Sequence, residues 1–222
     1  FDPFFNFRAT EYIVENGLSE YFEWNDDKSW YPHGRNVSSN SQVMLHITAA
    51  ISYEIFGGNS SLYDFTILFP AVIGSLTVIV IFALVRVLGG TTAGIIASLL
   101  FAVALPVLIR GSIGWFKSEP LGLFYGLLGL YLFLSGIRTK DKKFTILKIV
   151  SGGIILSFGM ASWGGNQFFI IPIGLFILAL PLVRKDHKFL AWSIPLFVTT
   201  FLLCSASFER PGPQIIFGLS GI

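Results

Sequence analysis

The 222 residues are 53% apolar and 16% aromatic, and only 13% are charged, about half the charged share of a globular protein. A net charge of +2, with no basic run interleaved with aromatics, gives no nucleic-acid partner. The lone cysteine, Cys204, excludes an internal disulfide and offers no metal cluster. What is left is an all-α polytopic membrane protein, with a mean hydropathy of +0.71. The chain opens on Phe1 rather than Met, lacks a signal-peptide pattern and closes on an apolar run, so it reads as a piece of a longer chain.

Residues 1 to 63 are expected to form an external loop containing helices. Phe4 to Asn16 has apolar residues at helical spacing (Phe5, Ala9, Tyr12, Ile13) and stops at Gly17. A stretch dense in charge, aromatics and turn residues runs from Phe22 to Arg35. Met44 to Phe56 is apolar but too short to cross a hydrocarbon core, which takes roughly 20 residues, so it is expected to lie in the interface or re-enter it. Asn36-Val-Ser38 and Asn59-Ser-Ser61 are Asn-x-Ser/Thr triplets on this side.

Residues 64 to 222 are expected to form a transmembrane bundle. Six runs are long enough to span: 65–85, 92–109, 120–137, 144–161, 168–183 and 189–206; a seventh begins at Ile215 and is cut off. Alternate turns carry nine basic residues, from Arg86 through Arg138 to Lys188. The opposite turns carry three, Arg110, Lys117 and Arg210. The basic set is therefore cytoplasmic. Glu119 is then external, on the same side as residues 1 to 39, provided that 44–56 does not span.

Between Phe65 and Phe208 the acidic residues are Glu119, Asp141 and Asp186, and the last two sit inside basic clusters. Glu119 is thus the lone carboxylate of its side across that region, and an acid kept at a membrane boundary is read as functional by default. Glu at a helix start is also favoured by the helix dipole. Asp2, in an Asp-Pro pair, has the same two readings. Converging on one surface, Asp2 and Glu119 would hold a hard divalent cation, Mg²⁺ or Mn²⁺, through oxygen. Arg110 and Lys117 either pair with Glu119 or hold a lipid phosphate. Asp26 and Asp27 read as solvated or paired with Lys28 and Arg35 sooner than as ligands. Trp163 opens an external turn and reads first as an interfacial aromatic.

Taken together these stretches resemble a known family. Phe1-Asp-Pro-Phe-Phe-Asn-Phe-Arg-Ala9, Trp24-Asn-Asp-Asp-Lys-Ser-Trp-Tyr-Pro-His-Gly-Arg35, Ile47-Thr-Ala-Ala-Ile51, Arg110-Gly-Ser-Ile-Gly-Trp-Phe-Lys-Ser-Glu119 and Ser162-Trp-Gly-Gly165 are similar, in this order, to the catalytic subunit of oligosaccharyltransferase. The lack of extra eukaryotic features points to the archaeal single-subunit type. The resemblance implies a GT-C membrane enzyme, in the cell membrane of an archaeon or the ER membrane of a eukaryote. It would transfer a glycan from dolichyl phosphate or diphosphate to the Asn of Asn-x-Ser/Thr in a polypeptide, and accessory membrane subunits are a further partner class. Asp2 matches the acid that binds the metal and the acceptor amide. Glu119 matches the last position of the second acidic motif, and Arg110 the basic residue ahead of it. Arg8, Asp26, Asp27, Arg35 and Trp163 are secondary candidates. Lys117 departs from the pattern: it stands where the family has the motif's first Asp. A later external loop and a soluble C-terminal domain are expected beyond Ile222, so this stretch alone should be inactive. The alternatives are another polyprenyl-phosphate-sugar transferase of GT-C type, separated by its indifference to Asn-x-Ser/Thr, and a transporter or scaffold.

Overall fold

The computed structural model describes residues 2–217. The first polar segment folds into four short helices: α1 (Asp2–Asn16), α2 (Leu18–Glu23), α3 (Val37–Asn40) and α4 (Val43–Phe56). Gly17 has φ 88°, a left-handed conformation that suits glycine, and it lets the chain leave α1 and start α2 at once. Ala9, Ile13, Tyr21, Val37, Val43, Ile47 and Ala50 bury one another, so this segment has its own small core. The charge-dense stretch contains a two-residue antiparallel pair, β1 (Asn25–Asp26) with β2 (Arg35–Asn36). The all-α expectation omits it, because two residues are too few to show a period of two.

Five helices among the described residues are long and apolar enough to cross a membrane. The first, α5 (Leu62–Ala102), is two helices joined at Gly90, whose φ of 86° and ψ of 178° are not helical. The halves fold back on each other. A Cβ at Gly94 would lie 2.9 Å from the Phe82 carbonyl oxygen, and the Gly114 N–H donates to Ile67 at 2.9 Å, back near the start of α5. The expected second span, 92–109, contains a break. The returning helix stops at Ala102 and resumes as α6 (Leu105–Arg110), because Pro106 has no N–H to donate to the Ala102 carbonyl.

The other spans are α7 (Ser118–Arg138), α8 (Lys142–Ser162), α9 (Gln167–Val183) and α10 (His187–Ala206). At 1.5 Å per residue, the 21 residues of α7 reach about 31 Å, the thickness of a hydrocarbon core. Helices α7 and α8 cross on glycine: a Cβ at Gly129 would meet the Leu156 nitrogen at 2.9 Å and the Gly152 oxygen at 3.0 Å. Small residues at a crossing let backbones approach where no hydrophobic drive exists between helices in lipid. Of the expected seventh span, α11 (Gln214–Phe217) is described and the remainder lies outside the described residues.

This order puts four polar segments at one end of the bundle: residues 2–43, 110–119, 163–167 and 207–214. The turns at 86–90, 138–142 and 184–187 gather at the other end, where Arg138 donates to the Val87 carbonyl and Arg184 to that of Ile137.

Candidate functional site

Asp2 is the first described residue of α1, and Glu119 is the second residue of α7. Both occupy first turns, where the helix dipole favours a carboxylate. They lie 117 positions apart, yet both line one cleft of about 330 Å³ at the polar end, together with Asn6, Arg35, Gln42, Lys117, Trp163 and Arg210 among others.

Each acid is held by a cation. Lys117 Nζ lies 2.9 Å from Asp2 Oδ2, and Arg110 Nη1 lies 3.1 Å from Glu119 Oε1. The ammonium bonded to it holds the Asp2 carboxyl below its ordinary value of 3.8, against a smaller opposing effect of burial. Arg110 pairs with Glu119, whereas Lys117 pairs with Asp2 rather than Glu119. Both cations also pack on the Trp115 ring, at 5.5 and 4.7 Å from its centre. Glu119 Oε2 is buried and has no hydrogen-bond partner among the described residues. A buried carboxylate oxygen left over in this way is costly unless a ligand takes it.

The secondary candidates divide. Arg35 lines the cleft, stacked 4.3 Å over Phe5 and 4.9 Å from Trp30, and it donates to the Asn40 carbonyl. Trp163 lines the cleft as well. Arg8 does not line it: it pairs with Asp26, whose carboxylate also accepts from the Lys28 N–H and the Ser29 hydroxyl. Asp26 is 2% exposed, and this pair clasps the loop. Asp27 accepts from Asn25 on the surface.

Positioning falls to residues that sequence reasoning passed over. In the amide orientation that satisfies both ends, Gln42 donates to Ser118 Oγ at 2.8 Å and to the Ser162 carbonyl at 3.1 Å, and accepts from the Gly164 N–H at 3.0 Å. One side chain thereby joins the first segment, the start of α7 and the Trp163 turn. A buried relay supports it. Tyr21 donates to His46 Nδ1 at 2.6 Å, His46 Nε2 donates to Asn6 Oδ1 at 3.1 Å, and Asn6 Nδ2 donates to the Phe116 carbonyl at 3.0 Å. That carbonyl immediately precedes Lys117. Burial, reinforced by the Arg35 charge, pushes the His46 imidazole down to about 3, so it is neutral in this chain. Burial raises the Tyr21 hydroxyl above its ordinary value. Asn166, fully buried, donates to Gly122 at 3.0 Å and to Gly159, and fixes the Trp163 turn to α7 and α8. Asn6 was legible in principle, since it sits one helical turn from Asp2 on the same face; Gln42 carried no signal.

A second cavity, about 340 Å³ and mostly apolar, adjoins the cleft through Glu119 and Trp163. It runs between α5, α6 and α7 along Gly74, Phe101, Val107 and Leu123, with Arg110 on its wall. A polar, cation-rich cleft opening into an apolar groove has the shape of a site for an amphiphile whose head is anionic.

Solved structures share this architecture. The chain superposes on the archaeal oligosaccharyltransferase of Archaeoglobus fulgidus in complex with an inhibitory peptide and a dolichol-phosphate, with a TM-score of 0.73 and 21% identity over 91% of this chain and 25% of that one. On an Archaeoglobus fulgidus oligosaccharyltransferase in complex with Zn and sulfate the TM-score is 0.74 and the identity 23%, covering 95% and 27%. The fold is the GT-C membrane fold that these structures share. The family model described as oligosaccharyl transferase STT3, N-terminal, matches residues 1–214, and the chain belongs to that family. The subunit STT3B of the dolichyl-diphosphooligosaccharide–protein glycosyltransferase of Oryza sativa subsp. japonica is 30% identical over 183 residues, which is 81% of this chain and 25% of that protein. The chain thus spans about a quarter of the length of the relatives it matches.

Proposed function

We propose that this chain is the membrane part of an oligosaccharyltransferase catalytic subunit, and that its cleft takes part in moving a lipid-linked oligosaccharide to the Asn of an Asn-x-Ser/Thr acceptor. The observation that carries the reading is the meeting of Asp2 and Glu119 in one cleft that opens into an apolar groove. A transporter would place its ionisable groups near the middle of the bundle, and here they stand at one end. With nine basic residues at the opposite end, the cleft faces the exterior, or the ER lumen if the source is eukaryotic.

Two of the cleft's groups suit a divalent metal, although among the described residues no cluster of three acids, histidines or cysteines forms. Glu119 offers a buried, unpartnered oxygen and Asp2 an exposed carboxylate on the same cleft, and all-oxygen donors suit Mg²⁺ or Mn²⁺. When bound, such an ion would act as a Lewis acid and steady the charge on the carrier phosphate. An amide nitrogen is a poor nucleophile because its lone pair is delocalised. Asp2, accepting a hydrogen bond from the acceptor amide, would help to localise that pair. The nitrogen then bonds to the sugar carbon as that carbon's bond to the phosphate oxygen breaks, and the amide's surplus proton passes to the Asp2 carboxylate that accepts its N–H. Charge returns to the phosphate beside Lys117, Arg35 and Arg210, where preorganised cations stabilise it most effectively. The carrier chain lies in the apolar groove past Arg110. Asp2→Ala in the full-length enzyme should abolish transfer while expression and folding persist; transfer retained in that variant would remove Asp2 from the chemistry.

A further inference from the structure

At the other end of the bundle a cavity of about 890 Å³ opens between the α7–α8 turn and the α9–α10 turn. Five cations line it, Arg138, Lys140, Lys142, Arg184 and Lys188, against one carboxylate, Asp186. That carboxylate is committed, since it caps α10 by accepting the Phe189 N–H at 3.1 Å. Asp141, the other acid of this end, caps α8 by accepting the N–H groups of Lys143 and Phe144. Among the described residues none of the five cations forms an ion pair, and Lys140, Lys142 and Lys188 form no side-chain hydrogen bond. The two arginines are each held in place by one bond to a backbone carbonyl, to Val87 and to Ile137, and Arg184 stacks 4.2 Å over Phe189. Trp192 completes the wall, one turn into α10. A cavity at the ends of spanning helices, with fixed guanidinium groups, free ammonium groups and an indole, sits at the depth of lipid headgroups.

We infer that this cavity is a binding site for the phosphate of an anionic phospholipid headgroup. The two planar guanidinium groups offer paired N–H donors to phosphate oxygens. The three lysines add charge beyond what the one lining carboxylate, Asp186, offsets. Ordinary basic turns of a membrane protein are splayed over the surface; here two of them face each other across one cavity. The site stands apart from the catalytic reading, since it lies at the opposite end of the helices.

The test uses the full-length protein in nanodiscs of dioleoylphosphatidylcholine with a fifth of dioleoylphosphatidylglycerol. Native mass spectrometry counts the lipids retained on ejection. Two charge-matched variants separate a site from a merely basic face. K140Q/K188Q removes two lining charges, whereas K143Q/K185Q removes two from the same turns outside the cavity. A lysine in contact with the headgroup is worth about fivefold or more, so the first variant should lose retained phosphatidylglycerol by at least about tenfold, and the second, which keeps every lining charge, should lose clearly less. Equal losses in both, or equal retention of phosphatidylcholine by the wild type, would overturn the site. Inorganic phosphate at ~10 mM should not displace the lipid; displacement would show a site for a soluble phosphate instead. If K140Q/K188Q does not fold, headgroup-photoreactive phosphatidylglycerol on the wild type decides: crosslinks within 138–142 and 184–192 support the site, and crosslinks elsewhere refute it.

Discussion

Lys117 is the residue on which the site turns. Its ammonium bonds Asp2, while Arg110 bonds Glu119, so each acid of the cleft has a resident cation. On the proposed reading, a divalent ion bound at Asp2 competes with Lys117 for that carboxylate. Lys117→Gln should therefore tighten Mn²⁺ binding to the full-length protein by about tenfold, the effect of removing one unit charge from direct contact with a carboxylate. Mn²⁺ paramagnetic resonance reads this without activity, and unchanged affinity would show that Lys117 does not compete. The sequence showed Lys117 as a departure from the family pattern, and it showed Glu119 by the scarcity of acids. It could not show who pairs with whom, because Asp2 and Lys117 are 115 positions apart and their contact depends on the whole bundle.

His46 works at the same scale through stability. Its imidazole is held down to about 3 in the folded chain against an ordinary 6.5. The unfolded chain then binds the extra proton between those values, so the contribution is present above about 6.5 and is lost as the pH falls below it. At pH 5 the loss from this group is about 2 kcal/mol. The apparent melting temperature in detergent should fall over this range, and His46→Gln should flatten that fall. An unchanged slope in the variant would mean that another group titrates.

Among elements, the spans announced themselves by apolar runs, and their interruptions did not. The turn near Gly90 was legible, since Arg86, Gly89 and Gly90 punctuate two apolar runs. The break at 103–104 was hidden, because Val103 and Ala104 are as apolar as their neighbours and only Pro106 marks it. The α7–α8 crossing is a matter of space that hydropathy does not measure. Gly129→Ala places a Cβ against the Leu156 nitrogen and the Gly152 oxygen, backbone atoms that cannot swing aside as a side chain would. The expected cost is about 1–3 kcal/mol, read as a lower denaturation midpoint in detergent. Full stability in that variant would mean that the helices part there freely. The relay from Tyr21 to Phe116 is likewise an element-scale device. It locks α1, which carries Asp2, to the turn that carries Lys117 and Glu119. Asn6→Ala should lower kcat in the full-length enzyme more than it raises KM for the peptide, because it loosens the geometry of the acids rather than a surface for the acceptor. A change confined to KM would assign Asn6 to acceptor binding.

For the whole molecule, topology does the decisive work. An odd number of crossings between residues 2–43 and Glu119 would have put the two acids on opposite sides of a membrane. The hairpin of α5 and the 14-residue α4 keep them together. That parity was inferable from the lengths of apolar runs and the bias of basic residues; the cleft itself, with Gln42 and Arg210 in it, was not. The central claim is that this cleft belongs to an enzyme that glycosylates asparagine. Its most direct test is transfer by the full-length protein, in detergent with Mn²⁺, to a fluorescent peptide bearing Asn-x-Thr, with the host's lipid-linked glycan as donor. The account predicts a glycosylated peptide, lost when EDTA removes the metal and lost when the Asn is replaced by Gln. Folded protein that leaves the peptide unmodified, or that glycosylates an acceptor without Asn-x-Ser/Thr, would contradict it.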